Sequence, residues 1–120
     1  MEKINVERAL ERIHEHWKPH IAAEVNDFQV KLAKVKGEFE WHAHEAEDEL
    51  FLVIKGCLRI EFRDREVELG PGELIVVPRG VEHKPVADDE AHVLLFEPAT
   101  TVNTGAAASE RTVRDLPRLQ

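Results

Sequence analysis

Two short stretches of this 120-residue chain carry most of its chemistry: Gly37-x4-His42-x-His44-x4-Glu49-x6-Gly56, then Gly72-x5-Pro78-x-Gly80-x2-His83. Side chains alternate along a strand with period two, so His42 and His44 point to one side and can converge. Glu49 opens the next apolar run, and His83 arrives from a separate hairpin. Three neutral imidazole nitrogens and one carboxylate oxygen suit a divalent transition metal and leave coordination positions open. Without an ion, such a cluster would leave lone pairs competing for few donors. Glu47 and Asp48 are rival carboxylates. Asp48 has the opposite parity to Glu49 and is expected to face away, whereas Glu49 begins the strand that leads to Gly56.

The double motif resembles the cupin superfamily, whose signatures run Gly-x5-His-x-His-x3 or x4-Glu-x6-Gly and Gly-x5-Pro-x-Gly-x2-His-x3-Asn. The resemblance rests on His42, His44, Glu49, Gly56, Gly72, Pro78, Gly80 and His83. Gly37 lies one residue closer to His42 than the common form, and Ala87 stands where the family often has Asn. Neither departure removes a ligand. The resemblance implies an all-β double-stranded β-helix, or jelly-roll barrel, with a divalent metal at His42, His44, Glu49 and His83. It is nearest to the small single-domain cupins called mannose-6-phosphate-isomerase-like. Other relatives act in uronate breakdown or are dioxygenases, so fold alone does not name the activity.

The elements that must position these residues are legible in outline. Asn5 is a plausible helix cap, and Val6, Ala9, Leu10, Ile13 and Trp17 recur at helical spacing. The pattern predicts an amphipathic helix over about 5–18, ended by Pro19. The barrel is expected over about 28–97, with strands at 28–33, 49–54, 58–63, 66–69, 74–77 and 92–97. Gly70-Pro71-Gly72 and Pro78-Arg79-Gly80 mark turns. Residues 98–120 read as loop and tail, and the whole chain as one cupin domain. If Glu49, Phe51 and Val53 face inward, the other face of that strand, Leu50, Leu52 and Ile54, remains apolar and needs a cover. The N-terminal helix or a second subunit is expected to supply it, and a homodimer is the commonest closed assembly.

A net charge of -8 argues against nucleic acid or an anionic membrane as partner. No apolar run reaches the roughly 18 residues of a membrane span. A single cysteine, Cys57, and an N-terminus without a secretory stretch point to the cytoplasm.

Four ligands leave open positions for a bidentate hydroxy-ketone, keto-acid or diol, or for one substrate plus dioxygen. Mn, Fe, Co, Ni and Zn all accept such ligands, and the ion can serve as Lewis acid or redox centre. The leading expectation is a metal-dependent enzyme acting on a small oxygenated molecule, by sugar or keto/hydroxy-acid isomerisation or ring-opening. The alternatives are an Fe(II)-dependent dioxygenase and a non-catalytic small-ligand or metal-binding module. His92 shares a strand face with Leu94 and Phe96, and is read as a cavity-facing catalytic group that moves a proton. Lys31 and Lys34 differ in parity, so at most one reaches the cavity from that strand. His14, His16 and His20 are read as solvated, and Trp41 as packing away from His42.

Overall fold

Asn5 caps the first helix as its residue type suggests, its Oδ1 accepting from the Arg8 amide at 3.0 Å. The computed structural model describes residues 1–105 and 107–119. The chain runs through α1 (Val6–Leu10), β1 (His20–Val25), β2 (Phe28–Glu38), β3 (Glu49–Lys55), β4 (Leu58–Phe62), β5 (Glu66–Leu69), β6 (Leu74–Val77) and β7 (His83–Pro98). The helix therefore stops well short of 18. Ile13 and Trp17, four residues apart, would share one face of a continuous helix. Instead Ile13 packs with Leu32 outside the sheet, and Trp17 packs against the inner core with Ala33 and Val35. Reaching both sides of β2 requires the chain to unwind. It does so with a positive φ of 63° at Trp17 and a bridge from His16 to Lys34.

All strand pairs are antiparallel, in the order β1-β2-β7-β3-β6, with β4 pairing β5 and β7 off this path. Two long strands create the jelly-roll architecture. The first part of β7 pairs with β4, from Phe62↔His83 to Arg59↔Val86. Its last part pairs with β3, from Val53↔Val93 to Leu50↔Phe96. β2 follows it on the other side, with its register broken between Val35 and Gly37. That break falls at the first motif glycine, whose φ of 83° suits Gly and few other residues. The last strand is thus a single element from His83, not the short 92–97 segment that the pattern predicts, and β1 lies outside the predicted strands.

Alternation then sorts the side chains. Phe51, Val53, Leu58, Ile60, Val77, Val93 and Leu95 form the inner core. A second cluster outside β2 and β7 joins Ala9, Leu10, Ile13, Ala22, Leu32 and Leu119. The N-terminal segment therefore covers its own barrel. The cover is incomplete: Leu74 and Val76 on edge strand β6 are 55% and 48% exposed, beside Leu52 and Leu50.

Candidate metal centre

The two sequence motifs are stitched to one another by backbone hydrogen bonds. His42 and His83 exchange amide and carbonyl, at 3.0 and 2.9 Å, and the Gly80 amide donates to the His44 carbonyl at 2.8 Å. His42 and His44 lie in the segment before β3, His83 opens β7, and Glu49 opens β3. One ligand atom from each of these four residues lies within 4.8 Å of the others, and all four residues are buried.

The hydrogen bonds around this cluster aim the rings. Nδ1 of His42 lies 2.8 Å from the Glu40 carbonyl, and Nδ1 of His83 lies 2.9 Å from that of Val81. A carbonyl only accepts, so both Nδ1 atoms carry a proton, and in the neutral rings the Nε2 atoms are left with the lone pairs. Glu49 Oε1 sits 3.3 Å from His83 Nε2 and 3.2 Å from His44 Nε2. The His44 contact lacks hydrogen-bond geometry, so among the described residues both ring nitrogens of this buried histidine are without a partner. A buried imidazole is rarely left in that condition. A cation bound at Nε2 would satisfy one of the two nitrogens.

Protonation states agree with this use. Burial, and then the neighbouring His83, pushes His42 down to about 4. Burial pushes the Glu49 carboxyl up, but the His44 and His83 contacts outweigh it and hold it below the usual carboxylate range. At neutral pH the site offers a neutral His42 imidazole and an ionised carboxylate, the forms that ligate a divalent ion. The residues present fit a metal.

Beside the cluster lies a cavity of about 50 Å³, walled by Trp17, Val35, Phe51, Leu58, Val93 and Leu95, with His42 and Glu49 on its polar side. Trp17 stacks on Phe39 at 4.9 Å, and Phe39 meets His42 edge-on at 5.3 Å. The N-terminal segment thereby backs a ligand histidine. Asn103 and Leu116 of the C-terminal segment reach the same cavity. Gly105 touches the backbone of Ala43 so closely that a Cβ there would overlap its carbonyl oxygen.

His92 is a correction. It does share parity with Leu94 and Phe96, but that face is the outer one: from Ala91 onward the buried residues of the strand are Ala91, Val93, Leu95 and Glu97. Its Nε2 lies 3.1 Å from Glu90 Oε1, and His16 binds the other Glu90 oxygen at 2.8 Å. Those two contacts draw Glu90 down to about 2. His92 thus lies outside the residues that line the cavity. Other expectations hold. Asp48 turns away to accept from the Arg79 amide at 2.9 Å. Trp41 lies under the Arg63 guanidinium, 3.9 Å from ring centre to Cζ. Sequence reasoning missed a buried pair, Lys31 and Glu97, whose Nζ and Oε1 are 3.2 Å apart on the cavity wall. In the sequence, parity alone bears on Lys31, and Glu97 only closes the apolar run 92–97.

An antiparallel jelly roll with a buried His3Glu cluster beside an apolar cavity defines a small β-barrel protein whose four clustered side chains fit a metal ion. Residues 28–97 match the Cupin domain family, and the chain belongs to it. It is similar to a cupin-2 domain containing protein from Shewanella frigidimarina, at 47% identity and a TM-score of 0.78, covering 79% of this chain and 93% of that one. A protein from Neisseria meningitidis is 32% identical, with a TM-score of 0.75, over 81% of this chain and 99% of the other. An uncharacterized protein of Bacillus subtilis is 43% identical over 63 residues, which are 52% of this chain and 56% of that relative. The chain thus spans little more than half the length of this curated relative.

Proposed function

We propose that the protein holds a divalent transition metal at His42, His44, Glu49 and His83, and acts as an enzyme on a small oxygenated molecule, by isomerisation or ring-opening. The observation that supports this most is the convergence of four buried ligand atoms within 4.8 Å, one imidazole lacking a hydrogen-bond partner among the described residues. When bound, the ion would supply Lewis acidity toward a carbonyl or hydroxyl oxygen. The chain's own residues do the rest. The Glu40 and Val81 carbonyls fix the His42 and His83 tautomers. Phe51, Val93 and Leu95 keep the reacting end dry, and the cavity limits the ligand to a few atoms.

Metal analysis of protein purified without added metal is the first test, followed by substrate screening with and without oxygen. Oxygen-independent turnover of a hydroxy-carbonyl compound is expected. Oxygen uptake would replace this reading with an oxygenase, and absence of metal would overturn it. We further propose a homodimer through the uncovered rows Leu52–Leu74 and Leu50–Val76. Exposed apolar patches of this kind are commonly interaction surfaces. Light scattering should give twice the chain mass.

A further inference from the structure

The Lys31–Glu97 pair is nearly inaccessible, with side chains 2% and 3% exposed. Taking two charges out of water is costly, and apolar residues of similar volume would generally serve stability as well. Nor is the pair self-sufficient. The Lys31 ammonium carries three donors, and among the described residues it has one hydrogen-bond partner, Glu97 Oε1. Glu97 Oε2 is buried and has none among the described residues. Both residues line the same cavity as His42 and Glu49, whose other walls are almost wholly apolar. Register explains the placement. Leu50 pairs with Phe96, so Glu49 and Glu97 are neighbours across β3 and β7. Lys31 pairs with Leu95, one inward position further along β7.

The cavity therefore holds spare donors on Lys31 and, among the described residues, an unpartnered oxygen on Glu97, next to the four-ligand cluster, with Asn103 the one further polar residue of its lining. We infer that Lys31 and Glu97 form a binding subsite for the polar end of a small α-hydroxy-acid or α-hydroxy-ketone. The ligand's hydroxyl donates to Glu97 Oε2, and its carbonyl or carboxylate oxygen accepts from Lys31 Nζ. A volume of about 50 Å³, at 10–15 Å³ for each water-sized site, admits roughly three to five atoms. That fits a fragment of two or three carbons and excludes an intact sugar ring from this depth. The inference rests on the proposed reading of the neighbouring cluster as the metal centre and adds to it which ligands the cavity selects.

Glycolate and acetate differ by the one hydroxyl that Glu97 would accept. Each is titrated calorimetrically into the wild-type protein, Glu97→Gln and the double variant Lys31→Met/Glu97→Leu. The double variant removes both charges at once and so guards against loss of folding. Wild type should bind glycolate at least tenfold more tightly than acetate. That preference should fall to less than threefold in both variants. Equal binding of the two acids by wild type, or a preference that survives in the folded double variant, would overturn the subsite. Metal content is measured on the same samples. Discrimination by protein that contains no metal would uphold the subsite and overturn the metal reading, so the two can fail separately.

Discussion

Acidification of the metal-free protein should expose the cost of burying His42. Its pKa is lowered from 6.5 to about 4, with burial as the main cause and His83 next. In the unfolded chain the same imidazole takes its proton near pH 6.5. Between those values the unfolded state binds more protons, so stability is full above pH 6.5 and falls as the pH drops toward 4. At about 1.4 kcal/mol for each pH unit, the loss attributable to His42 is about 3 kcal/mol. Glu97 acts in the opposite sense. Burial, and then the Glu49 charge, raise its pKa, so the folded state takes up that proton before the unfolded chain does. The His42 contribution is therefore read as a difference. Urea unfolding of chelator-treated wild type and His42→Gln is followed from pH 7.5 to 4. Wild type should lose about 3 kcal/mol more than the variant, and most of that loss should fall below pH 6. A difference under about 1 kcal/mol, or one of opposite sign, would refute the claim that His42 is held neutral by burial. With metal present, protons and the ion compete for the same nitrogens, so holo and chelated protein should converge in melting temperature as the pH falls.

Metal content by mass spectrometry should fall sharply in His44→Ala and His83→Ala, and unchanged stoichiometry in both would remove the site. Lys31→Met should cost about 3 kcal/mol where Glu97 is ionised, because it strands the buried carboxylate, and less as the pH falls and that carboxyl takes up a proton. Adding Glu97→Leu should recover most of the loss in urea unfolding. Gly105→Ala should destabilise by about 2 kcal/mol, since its φ of 60° and the contact with Ala43 leave no room for a Cβ. Limited proteolysis of that variant should cut the segment after Pro98 faster than in wild type. Val76→Lys should shift a dimer to monomer in light scattering without lowering the melting temperature by more than a few degrees.

The four candidate ligands were legible in the sequence because their convergence is largely local. Two histidines two apart, a glutamate at the start of a strand and a histidine just after a Pro-x-Gly turn need only chain geometry and one hairpin to meet. The turn glycines and the apolar alternation likewise reported the β architecture, since both are properties of neighbouring residues. Which face of a strand looks inward is a different kind of fact. Parity grouped His92 with Leu94 and Phe96 correctly, but only the packing of β7 between β2 and β3 decided that this group looks outward. The helical spacing of Ile13 and Trp17 was equally real, yet the two residues serve opposite sides of the sheet, and tertiary burial overrode the local preference. Lys31 and Glu97 are 66 positions apart, and neither carries a local signal. Their meeting depends on the register of β2 on β7. The sequence by itself determined the candidate ligands and the β pattern through short-range spacing. Only the tertiary structure decided what surrounds them, because burial and cross-strand register arise from contacts between distant parts of the chain.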